Sequence, residues 1–108
     1  MVNVGFIASN LREMCRDELQ ITWRDHQLEA RLEGHIKNGV EYLAAVTGAT
    51  ELDDFRAGGK ACALLLAYVR RAMSGDLSTF EADYMADIIR LQIECEVTER
   101  AKEEAESV

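Results

Sequence analysis

The sequence contains no proline, although average usage of about 5% would give about five in a chain of 108 residues. It also lacks the uninterrupted apolar run of about 18 residues that a membrane-spanning helix needs. Met1–Ile7 has neither the basic start nor the long apolar segment of a secretory signal. We therefore expect no membrane span and no secretory signal. Because proline is missing and alanine, leucine, glutamate and arginine are abundant, we expect long helices.

Catalytic motifs are missing as well. The sequence has no GxSxG, no Walker A loop, no HExxH, no GxGxxG and no EF-hand loop. Gly58-Gly59-Lys60 resembles a phosphate loop only faintly, since the upstream glycine and the following serine or threonine are absent. We expect a protein that is not an enzyme and that holds no cofactor or metal. A divalent cation at Glu51, Asp53 and Asp54 remains an alternative, although such loop clusters are more often simply solvated.

Three cysteines, Cys15, Cys62 and Cys95, lie far apart and form no CxxC pair. They are predicted to be buried free thiols in a reducing compartment. The two histidines, His26 and His35, are nine positions apart in one predicted helix and face opposite sides of it. They therefore cannot share a ligand, and we expect ordinary surface histidines.

Charge is distributed unevenly along the chain, whose net charge is −8. Residues 76–108 hold ten of the twenty acidic residues and three of the twelve basic ones, a net charge of −7. A chain this acidic is a poor general binder of nucleic-acid phosphates. Its C-terminal third is where we expect repulsion of DNA or docking of a partner.

The apolar periodicity predicts an all-α fold, a small four-helix bundle with an extended N-terminal arm over 1–10 and an acidic C-terminal tail over 96–108. Asn10 is the expected N-cap of a first helix over 11–19, and Ile21 and Trp23 are expected to cover the core after it. The second helix is expected over 25–46, ended by Gly48, with Gly34 and Gly39 as points where another helix can approach closely.

The third helix is predicted from Lys60 to Met73, after an irregular acidic stretch over 48–59 in which Leu52 and Phe55 anchor the loop. Nine consecutive apolar residues, 61–69, predict a helix that is central in the bundle or that also contacts a neighbouring subunit. Arg70-Arg71 is equally consistent with a helix C-terminus and with an intersubunit ion pair.

The fourth helix is predicted to begin with a capping box of Ser78 and Glu81. One apolar stripe is expected along it, and Met85, Ile89 and Ile93 are expected to widen that stripe. The members of the stripe are Phe80, Tyr84, Ile88, Leu91 and Cys95.

The order of these features, over roughly residues 11–95, resembles the head-tail connector (head-completion adaptor) family of tailed bacteriophages and prophages. The segments that carry the resemblance are LQITWRD at 19–25, LEGHI at 32–36, the LDDF loop at 52–55, AYVRRA at 67–72 and DLSTFEADY at 76–84. We treat 11–95 as the helical connector domain.

The resemblance implies a structural virion protein without catalytic activity. Its copies would form a homo-oligomeric ring, twelve-fold in this family, beneath the portal protein at the head-tail junction. The ring would be assembled in the bacterial cytoplasm, would extend the DNA channel without binding DNA specifically, and would offer a surface to a tail or head-completion protein. No membrane is involved.

Two groups of residues are assigned to these contacts. The oligomer interface is expected at Tyr68, Arg70, Arg71, Asp53, Asp54 and Phe55. Portal docking is expected at Glu96, Glu99, Arg100, Lys102, Glu103 and Glu104. The alternative function is a small helical phage or prophage regulatory protein that binds a host protein through the third helix or the acidic tail.

Overall fold

A computed structural model describes residues 3–22, 25–56 and 58–106. Within these ranges the chain forms helices and no strands, which confirms the all-α small helical bundle. The elements are α1 (Val4–Glu18), α2 (His26–Thr47), a 3-10 turn (Leu52–Phe55), α3 (Lys60–Met73), α4 (Phe80–Asp83) and α5 (Met85–Glu106). Trp23 lies outside the described residues, and Ile21 packs against the core as expected.

The predicted extended arm is wrong, because α1 begins at Val4 rather than at residue 11. Asn3 is the N-cap, and its Oδ1 accepts a hydrogen bond from the Phe6 amide at 3.1 Å. Asn10, the expected cap, lies inside the helix and donates from Nδ2 to the Phe6 carbonyl at 2.8 Å. The helix extends this far because Ile7 and Ala8 continue the same buried face as the later residues Leu11 and Cys15.

Helices α2 and α3 lie where the sequence predicts them. Asp25 caps α2 by accepting from the Gln27 and Leu28 amides at 2.9 and 3.2 Å. The helix ends at Gly48, whose φ of 88° is the left-handed conformation that glycine adopts without steric cost. Because both helix limits are set by these local signals, their prediction needed no tertiary information.

The predicted fourth helix is interrupted at Tyr84, which separates α4 from α5. The expected Ser78–Glu81 capping box is absent, and the N-cap residue of α4 is Thr79, which makes no side-chain cap hydrogen bond. The Thr79 hydroxyl instead donates to Asp83 at 3.2 Å and accepts from Arg71 at 3.0 Å. The hydroxyl is therefore used to join α4 to α3.

One hydrophobic core joins α1, α2, α3 and α5. Its fully buried large side chains include Ile7, Leu32, Ile36, Leu43, Phe55, Leu65 and Val69. The radius of gyration is 14.5 Å, against about 13 Å for a compact domain of this length. The molecule measures 51 × 28 × 22 Å. Helix α5 has 22 residues and is about 33 Å long, and its residues 96–105 are all exposed.

Candidate interaction surfaces

Arg71, one of the expected interface residues, is engaged within its own chain. Its Nη1 lies 2.7 Å from Asp83 Oδ2 and 3.0 Å from Thr79 Oγ1, and its guanidinium lies 5.4 Å from the centre of the Tyr84 ring. The hydrogen bonds from Arg71 and Thr79 hold the pKa of the Asp83 carboxyl below its usual value. Arg71 thus fixes α4 to the end of α3, whereas Arg70 beside it is exposed.

Tyr68 belongs to a cluster of four aromatic rings that fills the space between α2, α3 and α4. Its ring lies 5.7 Å from Tyr42 and 5.4 Å from Phe80, and Phe80 lies 4.8 Å from Tyr84. Burial raises the pKa of Tyr68; burial, followed by the nearby Glu81 carboxylate, raises the pKa of Tyr42. Tyr68 is half-buried in this cluster and offers only part of its surface to a neighbour.

The loop residues of the expected interface also serve the fold. Asp54 Oδ2 accepts hydrogen bonds from the Thr50 and Glu51 amides, both at 3.0 Å, and so closes the 3-10 turn. Phe55 is completely buried in the core, which confirms it as the loop anchor and rules it out as a contact residue in this conformation. Of the six expected interface residues, Arg70 and Asp53 are exposed.

A shallow groove of about 200 Å³ runs between this loop and α5. Across it, Lys60 Nζ lies 2.8 Å from Glu94 Oε2, and both side chains are about half exposed. Exposed ion pairs of this kind contribute little to stability. The lining mixes both signs of charge and includes Asp53, Arg56, Glu99 and Lys102.

The three cysteines are free thiols, with Cys15 and Cys62 buried and Cys95 half-buried. Burial, aided by the nearby Cys62, raises the pKa of Cys15 to about 12. His35 is half-buried, and its pKa is lowered by burial and by Arg31. Among the described residues, no group of three or more histidine, cysteine, aspartate or glutamate side chains is arranged to hold a metal ion.

The expected docking residues of the tail lie on α5, which continues as a helix to Glu106. Residues 96–105 are all exposed. Arg100 Nη2 lies 2.7 Å from Glu96 Oε1, one turn away along the helix. Residues 96–106 of the tail are therefore a charged helical segment, and the docking role of the tail stays a prediction.

Four exposed large apolar residues lie on α5, and the sequence analysis expected three of them, Met85, Ile89 and Ile93, to widen the core-facing stripe. Met85, Ile89, Ile93 and Val97 are 42, 45, 57 and 61% exposed. At 100° per residue they lie on the side of α5 opposite to the inward-facing Ile88, Leu91 and Cys95. We call these four residues the α5 apolar face. Its signal in the sequence is a second line of apolar residues spaced by four, beside the line that enters the core.

No protein-family model, no curated protein and no solved structure matches this chain. Over the residues described here, no helix is long and apolar enough to cross a membrane.

Proposed function

We propose that this chain is a structural subunit of a phage head-tail junction, one copy of a homo-oligomeric ring that joins the portal protein to the next tail or head-completion protein. The proposal takes its partners from the resemblance to the connector family. It assigns the chain no catalytic step. Two features of the molecule support the proposal: the positions of its exposed apolar side chains and the distribution of its charge.

One observation carries the proposal: exposed large apolar residues occur on four separate helices. Phe6 lies on α1, Leu28 on α2, Met73 on α3, and the α5 apolar face on α5. Single exposed apolar residues such as Phe6, Leu28 and Met73 are normal on a protein surface, whereas a contiguous set such as the α5 apolar face usually marks a partner site. A ring subunit needs two lateral surfaces and at least one axial surface, and apolar contacts on several elements suit that need.

The charge distribution supports the same function. Residues 76–108 have a net charge of −7, and the tail over 96–105 is exposed. Like charge lowers the affinity of a surface for the DNA backbone, which suits a channel through which DNA must move without being held.

Electron microscopy and native mass spectrometry of the purified chain, alone and mixed with the portal protein of the same genome, test the proposal. We expect a closed ring on the portal, twelve-fold as in the family. A chain that stays monomeric both alone and with the portal contradicts it. In that case the regulatory alternative gains support, and a gene beside repressor genes rather than portal and capsid genes would strengthen it.

A charge-reversal pair tests the lateral interface. Arg70→Glu reverses an exposed expected interface residue, whereas Lys37→Glu makes the same charge change on the exposed surface of α2. We expect Arg70→Glu to reduce ring formation and Lys37→Glu to leave it intact. Equal behaviour of the two variants would remove Arg70 from the interface.

A further inference from the structure

The α5 apolar face is a straight ridge rather than a scattered set of side chains. Its four residues are spaced by four positions, about 6 Å each, so that the ridge is about 18 Å long. Ridges of this i, i+4 type pack into the grooves of another helix. Since the core-facing side of α5 is already occupied by the bundle, the ridge is free to receive a helix from outside.

Helix α5, which carries this ridge, is acidic overall. Over Met85–Glu106 it has seven acidic residues against Arg90, Arg100 and Lys102. Arg100 is itself neutralised by Glu96 at 2.7 Å. A partner helix that lies along the ridge therefore meets an apolar strip on an acidic helix, and a border of lysine or arginine on the partner would complement it.

A second copy of this chain is a poor match for this acidic helix. Its net charge is −8, and its basic residues are concentrated over 56–75, which contains Arg56, Lys60, Arg70 and Arg71 and no acidic residue. Two cations of that stretch, Lys60 and Arg71, already pair with Glu94 and Asp83 within the chain. Self-association through this face would place like charges together.

We propose that the α5 apolar face docks an amphipathic helix of a different protein, one whose apolar strip is flanked by lysine and arginine. The inference rests on the proposed function, because this helix would belong to one of the proteins that the subunit joins. A neighbouring protein then docks on the α5 apolar face, whereas the contacts between copies of this chain use other surfaces.

The probe is a synthetic 22-residue amphipathic helical peptide with leucine along one face and lysine and arginine on its flanks. A second peptide carries glutamate at every flanking position. Binding of each fluorescently labelled peptide to the full chain is measured by anisotropy, and the oligomeric state of the chain alone is measured by analytical ultracentrifugation. The test variant is Ile89→Ser/Ile93→Ser, and Phe6→Ser is the matched control because Phe6 is similarly exposed on α1.

We expect the basic peptide to bind the wild-type chain and Phe6→Ser alike, and the double variant about tenfold more weakly or worse, since two apolar contacts are lost. The glutamate peptide should bind weakly to all three. All three proteins should keep the same helical circular-dichroism spectrum, because the substituted side chains lie outside the core.

Several results would overturn the inference. Equal binding of the basic peptide to the wild type and the double variant would show attraction by charge alone. Absence of binding to the wild type, or equally tight binding of the glutamate peptide, would contradict the stated partner chemistry. Self-association of the wild type that the double variant loses would identify a second copy as the occupant.

The two proposals fail in different experiments. A chain that binds the basic peptide but never forms a ring on the portal overturns the proposed function alone. A chain that forms the ring but ignores the peptide overturns this inference alone.

Discussion

Gly39 lies where α2 and α3 approach each other, and its missing side chain makes that approach possible. A Cβ at this position would lie 2.7 Å from Leu65 Cδ1 and 2.9 Å from Tyr68 Cδ1. Gly34, in the same helix, has no atom within 4 Å of such a Cβ. The sequence singled out both glycines as possible close approaches, and only Gly39 is one.

We expect Gly39→Ala to lower the free energy of unfolding by about 1 kcal/mol. Overpacking a core costs about 1–3 kcal/mol, and the better helix propensity of alanine returns up to about 1 kcal/mol. Gly34→Ala is the control and should raise the free energy of unfolding by about 0.5–1 kcal/mol. Urea denaturation measures both, and equal effects of the two substitutions would contradict the packing argument.

The stabilising effect of the Arg71–Asp83 ion pair should depend on pH. The pKa of the Asp83 carboxyl is lowered from 3.8 in the folded protein, so its stabilising contribution is present above that value and is lost as pH falls through the folded pKa. Asp83→Asn should therefore destabilise the protein at pH 7, and its difference from wild type should shrink below about pH 4.

Asp87→Asn is the control for that experiment, since it removes the same charge one turn further along. Denaturation midpoints of the wild type and of both variants between pH 7 and pH 3 measure the effect. If Asp83→Asn and Asp87→Asn follow the same pH profile, the ion pair contributes nothing specific.

At the scale of elements, the sequence predicts best the helices whose limits are set by local signals. Asp25 and Gly48 mark the ends of α2, and Lys60–Met73 for α3 follows from an apolar run bounded by Gly59 and Ser74. The start of α1 was predicted wrongly because the alternation of Val2, Val4 and Phe6 matches a strand pattern. In the structure Asn3 caps a helix from Val4, and Ile7 is buried in the core.

The two faces of α5 show what periodicity alone cannot decide. Ile88 and Ile89 are neighbours of the same residue type, yet one is buried and the other is exposed. A helix with apolar residues on opposite sides gives no single preferred face, so the side that enters the core is fixed by packing against α2 and α3. The role of Arg71 was likewise beyond local patterns, because its contacts with Asp83 and Thr79 arise only in the tertiary fold, whereas Phe55 was correctly predicted as the loop anchor.

Truncation tests whether residues 96–108 contribute to the fold, as the core-packed part of α5 does, or only to docking. Deleting residues 96–108 removes no buried side chain from the described part of the helix, so the helical fold should survive with a loss below about 1 kcal/mol. Portal docking should be impaired. Circular dichroism and thermal melting check the first expectation, and portal binding checks the second.

A deeper truncation is the matched control. A chain that ends at residue 87 also loses the buried Ile88 and Leu91. Each large core side chain contributes about 2–5 kcal/mol, out of a total of about 5–15 kcal/mol, so this shorter chain should unfold. Unfolding of the chain that ends at residue 95 would show instead that the tail belongs to the core.

The exposed surface of the molecule and its net charge both favour contact with a basic partner. The core joins α1, α2, α3 and α5, and α5 alone carries both the exposed apolar ridge and the acidic tail. Contacts between copies must therefore bring together bodies of net charge −8, whereas contacts with a basic partner gain from the same charge.

Ionic strength should consequently affect the two kinds of contact in opposite ways. The Debye length falls from about 30 Å at 0.01 M salt to about 8 Å at 0.15 M, so that added salt screens the repulsion between copies and favours the ring. The same screening weakens attraction between the acidic segment of α5 and a basic helix. We expect ring formation to increase and binding of the lysine- and arginine-flanked peptide to decrease when sodium chloride is raised from about 10 to 150 mM. Light scattering measures the first and anisotropy the second. A change in the same direction for both would contradict the assignment of repulsion to one contact and attraction to the other.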